Sequence, residues 1–135
     1  MDTGIVILNY NDAASTMNLV DSIADYDSLG HIVVVDNCST DDSMKQLSDK
    51  YSQSKKIIVI SSGKNGGYSY GNNFGARYLI NEFGTQVIFI ANPDVIFEES
   101  LVKSIVRCFE TSREYGVLTG VMVRPDGNVD PAPYR

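Results

Sequence analysis

The 135-residue chain has 43% hydrophobic and 21% charged residues, which suits one globular domain and excludes a disordered or fibrous chain. A net charge of -6 and a pI near 4.6 argue against a nucleic-acid binder, which would need a basic face to neutralise phosphates. An acidic protein can still hold a phosphate ligand if a divalent cation bridges carboxylate and phosphate.

Four short apolar runs read as buried strands: Ile5 to Leu8, Ile32 to Val35, Ile57 to Ile60 and Val87 to Ala91. Val/Ile runs without alternation suit strands covered on both faces, the pattern of a parallel sheet between helices. Each run is succeeded by a helical stretch. Met17, Val20 and Ile23 form the first face, with Ser15 or Thr16 as the expected cap, and Met44, Leu47 and Tyr51 form the second. Tyr70, Phe74 and Tyr78 recur at a spacing of four in the third, and Leu101, Ile105 and Phe109 come after a cap at Ser100 in the fourth. The order is βαβαβαβα. A shorter strand pair is expected next, Val117 to Val123 and then Val129, joined by an Asp126-Gly127 turn. The final DPAPYR, with two prolines, cannot continue a central strand.

Right-handed crossovers put the C-terminal ends of parallel strands on one edge, where open α/β sheets bind ligands. The residues directly after each strand are polar: Asn9-Tyr10-Asn11-Asp12, then Asp36 to Asp42, then Gly63-Lys64-Asn65-Gly66-Gly67, then Asn92-Pro93-Asp94. Any one such cluster is more often a turn or a cap than a site. Four on one edge point to a ligand. Ser39, Thr40 and Asp41 are the better cap candidates, which leaves Asp36 free to accept hydrogen bonds from a base or ribose. The Gly- and Asn-rich loop before the third helix lets backbone N–H groups approach a phosphate or sugar. It is no Walker loop, since Ile58 and Asn65 occupy positions that the motif reserves for Gly and Ser or Thr, and nothing Gly-rich comes after the first strand. Asp94 is a hard oxygen ligand suited to a cation on a diphosphate, and Tyr10 could stack on a base. His31 begins a strand and makes no triad, Cys38 lacks a basic neighbour to activate it, and the other tyrosines are expected mostly in the core.

Together, VILNYN, VVVDNCSTDDS, NGGYSYGNN and FIANPDV resemble the successive donor-site motifs of glycosyltransferase family 2, especially its rhamnosyltransferase-like members. The resemblance runs over nearly the whole chain. It implies the GT-A arrangement, a Rossmann-like three-layer α/β fold with a mainly parallel sheet. It also implies an inverting transferase of the hexosyltransferase type that moves a sugar from a UDP-, dTDP- or GDP-linked donor to a glycan or lipid-linked acceptor, as in polysaccharide biosynthesis. By the same resemblance Asn9, Tyr10 and Asn11 flank the nucleobase, Asp36 binds base or ribose, and Asn65, Gly67 and Asn73 line the ribose and sugar. Asp94 matches the aspartate that meets Mg²⁺ or Mn²⁺. Asn92 stands where the motif has its first acid, and an amide brings no charge.

Members of that family carry the catalytic base in a second half, so the base is expected beyond Arg135, and Asp126 and Asp130 match no such base. The expectation is therefore one donor-binding domain over residues 1–135, cut before the acceptor half and without an identifiable base. A nucleotidyltransferase would need a basic Gly-rich loop after the first strand, and a receiver domain an acidic pair there; neither is present. The rival reading is a non-catalytic nucleotide-sugar-binding module. Two unpaired cysteines, no apolar run of membrane-spanning length and no signal peptide suggest a cytoplasmic chain, at the inner membrane face if the full protein needs a lipid-linked acceptor.

Overall fold

A computed structural model describes residues 1–112 and 114–129. Strands and helices alternate as expected: β1 (Thr3–Asn9), α1 (Ala13–Ile23), β2 (His31–Asp36), α2 (Ser43–Tyr51), β3 (Ile57–Ser61), α3 (Tyr68–Phe83), β4 (Val87–Ala91) and α4 (Glu99–Thr111). All four strands are parallel, in the order β3-β2-β1-β4. The chain steps outward from β1 to β3, then returns to the other side of β1. That reversal makes the gap between the ends of β1 and β4 the topological switch point.

Side chains on neighbouring strand positions point to opposite faces, and the sheet is buried on both. Ile5, Ile7, Ile32 and Val34 pack with Leu19, Val20, Ile23, Leu47 and Val102 on the face covered by α1, α2 and α4. Val6, Val33 and Val35 pack with Leu79 of α3 on the other. The result is the three-layer α/β fold. Unbroken Val/Ile runs form these strands because every position has a helix or a neighbouring strand to pack on.

Several local expectations are corrected. Asp12, not Ser15 or Thr16, caps α1, its carboxylate accepting from the Ser15 N–H at 3.2 Å. Thr16 is buried and donates instead to Asn9. Helix α4 begins at Glu99, so Ser100 lies inside its first turn. The buried face of α3 is Gly71, Asn72, Gly75 and Leu79; Phe74 is exposed, and Tyr70 and Tyr78 are only half-buried. The glycines bring the helix backbone so close to the sheet that the larger aromatics are left on its flank. Tyr51 is the buried tyrosine among the described residues; Tyr26, Tyr70 and Tyr78 are half-buried, and Tyr68 and Tyr115 are exposed.

Val117 to Val123 forms no strand. A single antiparallel bridge joins Val123 to Val129 around the expected turn, whose Gly127 adopts φ 83°. The segment is exposed, with no strand among the described residues to pair with it. Asp130 and the rest of DPAPYR lie outside the described residues. So does Arg135, beyond which the catalytic base is expected.

Candidate donor-binding site

Strand register decides where the polar loops emerge. Asn9 is level with Asp36, Asp36 with Ser61, and Ala91 with Ile7. The turns after all four strands therefore leave from one edge. Asp36 lies two strands from β4, about 10 Å across at the usual interstrand spacing of about 4.8 Å.

Buried Asn9 joins the first two loops. Its Nδ2 donates to Asp36 Oδ1 at 2.9 Å and to Ser39 Oγ at 3.2 Å, while its Oδ1 accepts from Thr16 Oγ1 at 2.8 Å. Its side chain thus ties β1, β2 and α1 together with every polar atom paired. Asp36, 2% exposed, also accepts from the Ser39 hydroxyl at 2.6 Å and the Ser39 N–H at 3.1 Å. The expectation of a free Asp36 is thus corrected: the carboxylate organises the loop after it. Burial away from water would destabilise a carboxylate left without such donors.

Asn11 makes a second clamp. Its Oδ1 accepts from the Thr40 N–H at 2.7 Å and the Asp41 N–H at 3.3 Å, and its Nδ2 donates to Thr40 Oγ1 at 3.0 Å. These bonds hold its backbone at φ 52°, a left-handed conformation that asparagine tolerates better than most residues. Asp41 accepts from the Ser43 N–H at 2.9 Å, and its hydrogen bonds with Ser43 hold its carboxyl below the usual range. The N-cap of α2 is nevertheless Asp42, which makes no side-chain cap bond, so the expected cap at Asp41 is corrected. Neither Ser39 nor Thr40 caps the helix; both bond back to the first loop.

A third clamp was not singled out from sequence. Asn37 is buried, donates to Asn65 Oδ1 at 3.1 Å and to the Gly67 carbonyl at 3.4 Å, and accepts from Ser62 Oγ at 3.0 Å. Asn65 Oδ1 also accepts from the Gly67 N–H at 3.1 Å. The loop before α3 is thereby fixed to the end of β2. Gly67 opens α3 at φ 88°, a backbone state that favours glycine. An asparagine after a strand-ending aspartate looks like an ordinary turn residue, so only the structure reveals Asn37 and Ser39 as the links.

The loops after β1, β2 and β3 thus form one hydrogen-bonded rim containing Asn9, Asn11, Asp36, Asn65 and Gly67. Tyr10 stands on it, 47% exposed. Asn92 and Asp94 are both exposed on the turn after β4, closed by the Val95 N–H to the Asn92 carbonyl at 3.3 Å, and strand register rather than side-chain bonding brings them alongside. Asn73 does not join the rim: it is exposed on α3, and its neighbour Asn72 is the buried one, donating to the Tyr68 carbonyl.

Among the described residues, no three His, Cys, Asp or Glu side chains gather into a metal cage. Asp94 and Asn92 would offer a carboxylate and an amide oxygen from one turn. Both are hard oxygen donors of the kind that Mg²⁺ or Mn²⁺ accepts. A cleft of about 620 Å³, lined by residues including Thr3, Ser28, Lys103, Arg107 and Glu110, opens at the opposite edge of the sheet and contains none of the four loops. The four loops form an open shelf instead, because the side chains of the first three turn toward one another. No helix among the described residues is long and apolar enough to cross a membrane.

Comparison with known proteins agrees with this architecture. The chain is 29% identical over 135 residues to the low-salt glycan biosynthesis hexosyltransferase Agl10 of Haloferax volcanii, covering 98% of this chain and 41% of that protein. Among solved structures it resembles S. aureus TarS residues 1–349 in complex with UDP, with a TM-score of 0.64, 19% identity and coverage of 88% and 38% of the two chains. It also resembles the mannosyltransferase PcManGT of Pyrobaculum calidifontis in complex with GDP-Man and Mn²⁺, with a TM-score of 0.60, 17% identity and coverage of 76% and 31%. The chain spans less than half the length of each. Those structural likenesses show the shared GT-A fold, and the family is decided by sequence: the family described as "Glycosyl transferase family 2" matches residues 4–135, so the chain belongs to glycosyltransferase family 2.

Proposed function

We propose that this chain is the donor-binding part of an inverting glycosyltransferase, which holds a nucleoside-diphosphate sugar on the shelf at the C-terminal edge of the sheet. The sugar would pass to a hydroxyl of a glycan or lipid-linked acceptor, as in polysaccharide biosynthesis. The observation that carries the reading is the rim itself: three loops far apart in sequence are bonded together beside the Asn92–Asp94 turn, at the switch point of a family 2 chain. Agl10 is named a hexosyltransferase, and UDP and GDP-Man are bound in the two similar structures, which supports a nucleotide-sugar ligand here.

In this reading Tyr10 stacks on the base and Asn11 borders it. Asp36 Oδ2 accepts one bond in the free protein, and a carboxylate oxygen has capacity for another, from a base N–H or a ribose hydroxyl. Asn9 holds that carboxylate in place. Asn65 and Gly67 border the ribose and sugar, Asn73 stands off the rim and takes no part, and Asn92 would approach the ribose or the cation with its amide. Asp94 would hold the Mg²⁺ or Mn²⁺ that accompanies the diphosphate. When bound, such a cation offsets the charge that develops on the departing diphosphate. The catalytic base and the acceptor site are assigned to a second half of the enzyme beyond Arg135, in the cytoplasm or at the inner face of the membrane.

Calorimetric titration with UDP, GDP and dTDP, with and without Mn²⁺, tests this. Binding of at least one nucleotide is expected, strengthened by Mn²⁺, with the Mn²⁺ dependence lost in Asp94→Ala while Mn²⁺-free binding persists. Absence of binding to all three in either condition overturns the reading; a Mn²⁺ dependence that survives Asp94→Ala removes Asp94 from it.

A further inference from the structure

Three of the four loops on the shelf are tied to one another by side-chain bonds, and the fourth is not. Among the described residues no side chain bonds to Asn92, Pro93 or Asp94, and the contact that closes their turn, Val95 N–H to the Asn92 carbonyl, is long at 3.3 Å. What fixes Asp94 therefore lies at the two ends of its segment. Upstream, β4 is registered on β1, with Ala91 level with Ile7. Downstream, burial alternates: Val95 and Phe97 pack against the core, while Asp94, Ile96 and Glu98 are exposed.

The downstream end is latched to the connector between α1 and β2. The Tyr26 hydroxyl donates to the Phe97 carbonyl at 2.8 Å, with the two rings edge to face at 6.2 Å, and the Ser28 N–H donates to Glu99 Oε1 at 2.9 Å. The connector is itself held. The Tyr26 N–H donates to the Ile23 carbonyl at 3.1 Å, and the Tyr26 carbonyl accepts from Lys56 Nζ at 2.7 Å. Asp94 thus stands between a strand end and Phe97, three residues on and at most about 11 Å away along the chain.

We propose, on the reading that Asp94 meets the cation, that Tyr26 is a positioning residue for it: the hydroxyl holds Phe97, and Phe97 sets where the Asn92–Asp94 turn stands beside the shelf. Tyr26 precedes β2, whereas the loops leave from the C-terminal ends of the strands, so it acts through the chain and not by contact with the ligand. An exposed carboxylate on a loose turn would have to be ordered as the cation arrives, and that ordering weakens binding. Affinity falls by the fraction of molecules whose turn is out of place.

Calorimetric titration of Tyr26→Phe with UDP, GDP and dTDP, with and without Mn²⁺, tests this. Binding without Mn²⁺ is expected to match the parent chain, and binding with Mn²⁺ to weaken about fivefold, the effect of one hydrogen bond. Tyr51→Phe is the comparison, since it removes a hydroxyl bond to Asp21 at 2.8 Å far from the turn. It is expected to lower the melting temperature and leave both affinities alone. An unchanged Mn²⁺ effect in folded Tyr26→Phe, a loss equal with and without Mn²⁺, or the same loss in Tyr51→Phe overturns the proposal. A parent chain that binds no nucleotide, gains nothing from Mn²⁺, or keeps its Mn²⁺ dependence in Asp94→Ala defeats the donor-site reading itself, and the role of Tyr26 with it. Should Tyr26→Phe fail to fold by circular dichroism, hydrogen exchange of the Val95 amide in the unsubstituted chain decides. Protection before any nucleotide or cation is added is expected; protection that arises only with them overturns the proposal.

Discussion

Asn9 is the residue on which the shelf depends most. Replacing it with leucine keeps the volume and removes three hydrogen bonds, leaving Asp36 and Thr16 short of a partner in a buried place. Loss of a partner to a buried group costs about 1–3 kcal/mol, more when the group is charged. Asn9→Leu is therefore expected to lower the urea unfolding free energy by at least the upper part of that range. Tyr10→Ala, by contrast, removes an exposed ring from the same loop and should leave the unfolding curve almost unmoved. Equal losses in the two variants would show that Asn9 does no more than fill space. At this scale the sequence was partly readable. Strand-end positions identified Asn9, Asn11 and Asp36 because polar residues after Val/Ile runs must sit at an edge. It could not show that their side chains face one another, since pairing between residues 27 to 30 positions apart leaves no local pattern. For that reason Asp36 reads as free, Ser39 as a helix cap and Asn37 as an ordinary turn residue.

At the scale of elements, strands were easier to read than helix faces. A parallel strand buried on both sides announces itself by composition, and all four runs fall within the strands observed. Helix α3 shows why faces are harder: its contact surface is centred on Gly71 and Gly75, which an apolar-periodicity search does not see. An added Cβ at Gly75 would lie 2.6 Å from Val6 Cγ1 and 2.7 Å from Val35 Cγ2. Both valines are fully buried and β-branched, so they cannot swing aside. Overpacking of this kind costs about 1–3 kcal/mol, whereas Gly to Ala in an exposed helix interior gains up to about 1 kcal/mol. Gly75→Ala is therefore expected to lower the melting temperature despite its better helix propensity. A raised melting temperature would mean that α3 can lift off the sheet without loss.

Across the whole molecule, the parallel order fixes where the shelf lies, and tethers outside the sheet fix how α4 attaches. Sequence patterning conveyed the first through strand count and crossover handedness. It could not convey the second, because the tethers are side-chain bonds between distant loops. Tyr26 donates to the Phe97 carbonyl at 2.8 Å with the two rings edge to face, and the Ser28 N–H donates to Glu99 Oε1 at 2.9 Å. Glu99 Oε2 also accepts from Lys103 at 2.6 Å. Lys103 first, and then the Ser28 N–H, pull the Glu99 carboxyl from 4.5 down to about 2. A carboxyl depressed by folding binds its proton more tightly in the unfolded chain, so its contribution is fully present above pH 4.5 and disappears as pH falls toward 2. Asp21, Asp41 and Asp126 are also lowered and act in the same direction, so the difference between variants isolates Glu99. Melting temperatures of the parent chain and of Glu99→Gln, whose amide oxygen can still accept from Ser28, should differ most near neutral pH. They should converge as pH drops through this window, because the parent loses what the variant never had. A gap that stays constant from about pH 7 down to about pH 2 would mean that the Glu99 charge plays no part in holding α4 to the fold.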